Sequence, residues 1–194
     1  MRVIGKFPTL PTRCQNRFMT PVDPLRHHVA RAADGDEASF VRLVTALQGD
    51  VWRLCRLLGS PADPDDLTQD TFIRVYKSLK VFRGDSTVRT WILSIARRVC
   101  ADQVRKQNRH RRLVNRLVRL EPPDPSTSAP DGSLGDLLML VEETRREAFV
   151  LTQYIGLSYD ETAEILDCAV GTVRSRVSRA RADLMNAWRE SSTG

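Results

Sequence analysis

Three features of this sequence predict an all-α chain of two small helical domains joined by a flexible linker. Apolar residues recur at spacings of three and four, and no alternating run reads as a strand. Helix starts are marked at Asp23-Pro24, at Asp63-Pro64, and at Ser158 with Glu161 three residues on. The stretch from Glu121 to Gly135, EPPDPSTSAPDGSLG, holds four prolines among small polar and acidic residues and reads as a linker.

The composition is that of a globular chain. Of 194 residues, 41% are apolar and 28% charged, with a net charge of +6 and a pI of about 9.5. This balance points to nucleic acid or an anionic membrane surface without choosing between them. Nine Lys/Arg lie between Arg97 and Arg119 against one acid, Asp102. A solvated helix face is the plainer account of such a run. No apolar run of about 18 residues offers a membrane span, and no signal-peptide core is present at the N-terminus. The cysteines, at 14, 55, 100 and 168, form no CxxC pair and no zinc spacing with His27, His28 or His110. They read as reduced thiols in a cytoplasmic protein with no metal and no cofactor.

Residues 1–20 have no period and contain Pro8 and Pro11; they read as a disordered extension, with Met19 an alternative start. A short helix is expected from Asp23 to about Ala33. A longer one follows from Glu37 to Leu58, with Phe40, Val44, Leu47, Val51, Leu54, Cys55 and Leu58 as its apolar positions. Gly59 ends it. The third helix takes Asp63 as cap and Pro64 at its first position, and Asp65, Asp66 and Asp70 complement its dipole. Its apolar stripe is Leu67, Thr71, Ile73, Val75, Tyr76 and Leu79. The segment FRGDST, 82–87, breaks the chain at Gly84 and offers Asp85, Ser86 and Thr87 as caps for a basic helix. That helix turns Trp91, Ile92, Ile95, Val99 and Val104 inward and frays towards Leu120. These four helices share one core as a bundle.

Beyond the linker, Leu137, Leu138, Leu140 and Val141 open a second module. A helix from Thr144 to Ile155 stops at Gly156, and Ser158 with Glu161 forms a capping box for the next. Asp167-Cys168-Ala169 is a tight connection. The last helix buries Val173, Val177, Ala180 and Leu184 and presents Arg, Ser and Thr on its other faces. Helix, short turn and polar-basic helix is the helix-turn-helix pattern. Gly171 admits close backbone approach, and Thr172, Arg174, Ser175, Ser178 and Arg179 are placed to meet bases or phosphates. Arg176, Arg179 and Arg181 span too wide an angle to share one groove, so some of them serve phosphates, a protein partner or contacts within the module.

The segments DDLTQDTFIRVYKSLKVFRGDSTVRTWILSIAR and LSYDETAEILDCAVGTVRSRVSRARADL resemble bacterial RNA polymerase sigma factors of the compact extracytoplasmic-function (ECF) class. The resemblance covers roughly Asp23 to Trp188. It implies a promoter-recognition subunit with no catalytic residues, residues 21–120 being sigma domain 2, 121–135 the linker and 136–194 sigma domain 4. The matching face Asp66, Gln69, Asp70, Ile73 and Arg74 would dock on the β′ clamp helices of core RNA polymerase. Trp91, Arg97, Arg98, Asp102 and Arg105 would line the surface that captures the −10 element as it melts. The C-terminal module would read the −35 element as duplex and meet the β flap. An anti-sigma factor is a further partner the resemblance allows. Many relatives carry Asn where Arg98 stands, so the −10 base preference is open.

Two other classes compete. An ordinary helix-turn-helix regulator would account for the C-terminal module but not for the basic tryptophan helix. A nucleic-acid enzyme using Asp65, Asp66 and Asp70 would need a second carboxylate or His group. The tether adds one expectation: fifteen flexible residues span on the order of 20 Å, which holds the modules near millimolar effective concentration. Arg97, Arg98 and Arg105 are then expected against the linker or the C-terminal module.

Overall fold

The computed structural model describes residues 23–59, 62–117 and 134–191. The extension 1–20 and most of the linker lie outside them. All regular structure among the described residues is helical. In chain order it comprises α1 (Arg26–Ala33), α2 (Glu37–Leu58), α3 (Pro64–Ser78) with a 3-10 turn Leu79–Val81, and α4 (Val88–Leu117). After the linker come α5 (Leu134–Met139), α6 (Glu143–Phe149) running into a π-helical turn Val150–Tyr154, α7 (Tyr159–Leu166) and α8 (Val170–Ser191). Gly135 therefore lies inside α5 rather than ending the linker.

The local signals act as the sequence indicates. Asp63 caps α3 with Pro64 in its first turn, and the structure adds Asp36 as the cap of α2, accepting from Ala38 and Ser39. Ser158 and Glu161 close the reciprocal capping box of α7. Asp167, at φ 49°, takes the left-handed position that ends α7 and turns the chain into α8.

Packing departs from the sequence reading in one systematic way. The α2 seam is Leu43, Leu47, Val51, Leu54, Cys55, Leu57 and Leu58, all buried, while Phe40 and Val44 are half-buried. In α3, Leu67, Thr71, Phe72 and Val75 are buried, whereas Ile73 is 45% and Tyr76 55% exposed. In α4, Val88, Ile92, Leu93, Ala96, Val99 and Cys100 are buried, and Trp91, Ile95 and Val104 only half so. Of the residues that open the second module, Leu137, Leu138 and Val141 are buried and Leu140 is exposed. Cys55 and Cys100 are buried free thiols that meet across α2 and α4.

The core is continuous across the two modules: Leu138, Ala148, Val150, Leu151 and Ile155 belong to the same buried cluster as the α2–α4 bundle. Arg89 joins them, donating from Nε to Asp50 Oδ2 at 2.7 Å and from Nη2 to the Ile155 carbonyl at 2.7 Å. No helix among the described residues is long and apolar enough to cross a membrane.

Candidate functional site

The first surface is a groove of about 450 Å³ between α2 and α3, lined by Phe40, Val44, Gln48, Asp65, Thr68, Gln69, Phe72, Ile73, Tyr76 and Lys77. It exists because α3 has two apolar stripes. Leu67, Thr71, Phe72 and Val75 fill the core, and Gln69, Ile73 and Tyr76 stand roughly a third of a turn further round. Among the described residues no element covers that second stripe. Of the residues expected to dock polymerase, Gln69 and Ile73 line the groove. Asp66 is exposed on the adjoining flank. Asp70 and Arg74 pair at 3.0 Å. Sequence reasoning assigned Phe40, Val44 and Tyr76 to the core. The signal it passed over was an apolar arc on α3 wider than one packing face needs.

Two of the acids at the start of α3 are already engaged. Asp65 accepts from Trp52 Nε1 at 2.9 Å, and Asp63 caps the helix. Among the described residues no group of three or more His, Cys, Asp or Glu side chains is arranged to hold a metal ion.

The second surface is α4, and the residues expected to line it divide. Trp91, Arg98, Asp102 and Arg105, at offsets of seven, four and three, share one side of the helix. There Trp91 packs on Phe82 with ring centroids 4.7 Å apart. Arg98 is exposed and makes no ion pair among the described residues. Asp102 receives Arg105 at 2.7 Å and Arg74 at 2.9 Å. Burial alone would raise the Asp102 pKa, but those two guanidinium groups outweigh it and hold the carboxyl below the usual range.

Arg97 points elsewhere. It lies with Arg89, Leu93, Cys100 and Val104 on the side of α4 that meets the C-terminal module. Its Nε and Nη2 donate to the two carboxylate oxygens of Glu147, both at 2.9 Å, and Glu147 is buried. Thr90 adds a bond to Glu161 at 3.3 Å. Of Arg97, Arg98 and Arg105, expected against the linker or the C-terminal module, Arg97 meets that module; most of the linker lies outside the described residues. Helical geometry sends only Arg97 there, because Arg98 and Arg105 stand roughly a quarter of a turn away.

The third surface is α8. Val173, Val177 and Ala180 are fully buried, which fixes the helix against α6 and α7. Gly171, Arg174, Ser175, Ser178 and Arg179 are exposed, Thr172 half so. Arg176 turns back to Cys168 Sγ at 3.7 Å, and Arg181 to Gln153 at 2.6 Å. Two of the three widely splayed arginines therefore make contacts within the module, and Arg179 remains outward.

A bundle with an uncovered groove joined to a helix-turn-helix defines a class in which two families of contact coexist, protein on one side and nucleic acid on the other. The comparisons identify it. Residues 43–110 match the model for Sigma-70 region 2, and residues 132–184 that for Sigma-70 region 4. A probable RNA polymerase sigma-C factor from Mycobacterium bovis is 40% identical over 162 residues, 79% of this chain and 85% of the relative. An ECF RNA polymerase sigma-E factor from Escherichia coli is 34% identical over 184 residues, 81% of this chain and 91% of the relative. Among solved structures, CnrH in complex with the cytosolic domain of CnrY covers 85% of this chain and 97% of its own, at TM-score 0.66 and 28% identity. The sigma factor RpoE from Bartonella quintana, in complex with the anti-sigma factor NepR, covers 79% and 96% at TM-score 0.60 and 27% identity. The chain belongs to the RNA polymerase sigma factors of the ECF class.

Proposed function

We propose that this chain directs core RNA polymerase to its promoters through three separate surfaces and that, free of polymerase, it rests closed. The α2–α3 groove docks the β′ clamp helices, with Ile73 and Tyr76 as apolar contacts and Asp66, Gln69 and Asp70 beside them. The outward side of α4, with Trp91, Arg98, Asp102 and Arg105, captures the melted −10 strand. Exposed Arg174 and Arg179 on α8 serve the −35 duplex, with Thr172, Ser175 and Ser178 around them and Gly171 at the approach. Residues 21–120 and 136–194 act as the two modules, and no catalytic step is assigned to either.

The observation that carries this reading is the coexistence of an uncovered apolar groove with exposed arginines on a helix-turn-helix. A regulator acting alone has no use for the groove. The closed state follows from scale. The two elements lie about 25 base pairs apart, on the order of 80 Å of duplex. A compact chain of this length has a radius of gyration of about 16 Å. The clasped modules cannot reach both elements together, so promoter engagement requires Arg97 and Glu147 to part. Polymerase favours that by offering each module its own site. An anti-sigma partner, as found on the Bartonella quintana relative, would bind the same modules in competition.

Co-purification with core RNA polymerase, followed by transcription on a genomic promoter library, tests the reading. Wild-type chain is expected to associate and to select promoters with two spaced elements. Gln69→Ala combined with Asp70→Arg, or Ile73→Asp alone, is expected to weaken association by about thirtyfold, the scale of a buried contact residue at an interface. Undiminished co-purification of both variants would remove the groove from the account.

A further inference from the structure

We infer that Asp23 is a positioning residue for −10 recognition, acting through the N-terminus of α4; the inference rests on the reading of α4 given above. Asp23 looks like the cap of α1, and it does accept from the Leu25 amide at 3.0 Å. Its second carboxylate oxygen reaches across 65 residues and accepts the Val88 amide, the first of α4, at 2.6 Å. A helix N-terminus leaves its first amides without partners inside the helix. Here they are shared out: Thr87 Oγ1 takes the Thr90 amide at 3.1 Å, and Asp23 takes that of Val88. The carboxylate also lies where the helix dipole favours negative charge.

The same short segment holds the loop before α4 from its other side. Arg26, one turn beyond Asp23, lays its guanidinium against Gly84, so that a Cβ at Gly84 would collide with it. Gly84 has φ +75°, a conformation that L side chains rarely adopt. Phe82, at the start of this loop, carries the Trp91 ring. The loop is therefore clamped between Asp23–Arg26 and Trp91. Buried Val88, the Arg89 bonds and Thr90 hold the other sides of this end of α4; Asp23 and Arg26 hold the side of the loop on which Trp91, and Arg98 two turns further on, are presented. A flipped base is read by groups held to within a fraction of an ångström, so loosening this cap is expected to blur selection before it unfolds the bundle, whose core lies on the opposite side of α4.

The test uses full-length chain with core RNA polymerase and a promoter that the wild-type enzyme selects, together with every single-base substitution across its −10 element. Asp23→Ala is expected to lower the preference for the best base over the worst by about fivefold, the scale of a lost helix cap, while co-purification with core and affinity for a −35 duplex stay within twofold. Asp23→Asn keeps an acceptor for the Val88 amide and is expected to retain most of the preference. Gly84→Ala probes the clamp from the loop side and should reproduce the Asp23→Ala pattern. Wild-type preference in both Asp23→Ala and Gly84→Ala overturns the inference. So does a uniform loss in which core binding and −35 binding fall in step with melting temperature, since that describes a purely structural residue. An Arg98→Ala control separates the two layers. If Arg98→Ala leaves −10 selection untouched, the reading of α4 fails; if Arg98→Ala alters it and the Asp23 and Gly84 variants do not, only this inference fails.

Discussion

The two sides of α4 carry the same kind of residue and meet opposite fates. Arg97 lies on the side that faces the C-terminal module, where a buried carboxylate takes both of its donors. Arg98, the next residue, is exposed. One step along a helix is about 100°, and that rotation separates a residue committed to holding two modules together from one available to a ligand. A basic run in a sequence therefore reports charge, not availability. Helix α8 repeats the lesson on a smaller scale, with Arg176 and Arg181 turned back into the module while Arg174 and Arg179 face outward.

The strongest way to break this contrast is to remove the carboxylate. Deleting one partner of a buried pair costs about 3–5 kcal/mol. Arg97 is 28% exposed, so water relieves part of that penalty, leaving about 1–3 kcal/mol. Glu147→Ala is expected to open the clasp and to raise the affinity of free chain for a duplex carrying both elements by about tenfold. Affinity for a forked template carrying only a melted −10 element should not change, because the outward side of α4 is already uncovered. The exchange of Arg97→Glu with Glu147→Arg should restore closure. Equal gains on both templates would mean that the clasp hides the −10 surface rather than limiting its span, and no gain on either would mean that the modules do not hold each other in solution.

The next contrast lies within α4 itself. Arg98→Ala in the assembled polymerase is expected to weaken binding to the forked −10 template by about fivefold, the scale of one lost hydrogen bond. Arg97→Ala is expected to leave that binding within twofold. Matching losses in titrations of the two variants would place both arginines on the DNA side.

On α8 the comparison turns from availability to role. A good bidentate base contact is worth about 1–3 kcal/mol and is read at one position. Arg174→Ala is expected to relax selection at one −35 base. Arg179→Ala should instead weaken every sequence alike and reduce the salt slope by about one. Affinity loss without altered preference in both variants would remove base reading from Arg174.

The smallest effect concerns the ion network beside Arg98. The Asp102 carboxyl is held below its ordinary range when folded, so it contributes stability above about pH 4, its unfolded value, and loses that contribution as pH falls through the depressed value. Asp102→Asn should lower the melting temperature slightly at pH 6 and merge with wild type at the acid end. A difference that grows on acidification would reverse the sign of this account. The group is half exposed, which keeps the shift small.

Much of the molecule was legible in the chain itself. Caps at Asp63 and Ser158, the tight connection at Asp167 and the buried set Val173, Val177 and Ala180 are local, set by hydrogen bonds and periodicity within a few residues. The sigma-factor resemblance rested on two long contiguous segments and needed no tertiary information. Three things were not legible. Periodicity marks a residue as apolar but cannot say whether a partner helix covers it, so Phe40, Val44 and Tyr76 read as core and became a groove. A basic run does not announce which of its members meets an acid fifty residues away, and only the packing of α6 on α4 assigned Arg97 to Glu147. Asp23 carries every mark of a cap for its own helix, yet it also caps one that begins 65 residues later. The sequence alone determined helices, their ends and the family, because those depend on neighbours in the chain. The tertiary structure decided which polar and apolar side chains remain free to act, because burial and pairing depend on neighbours in space.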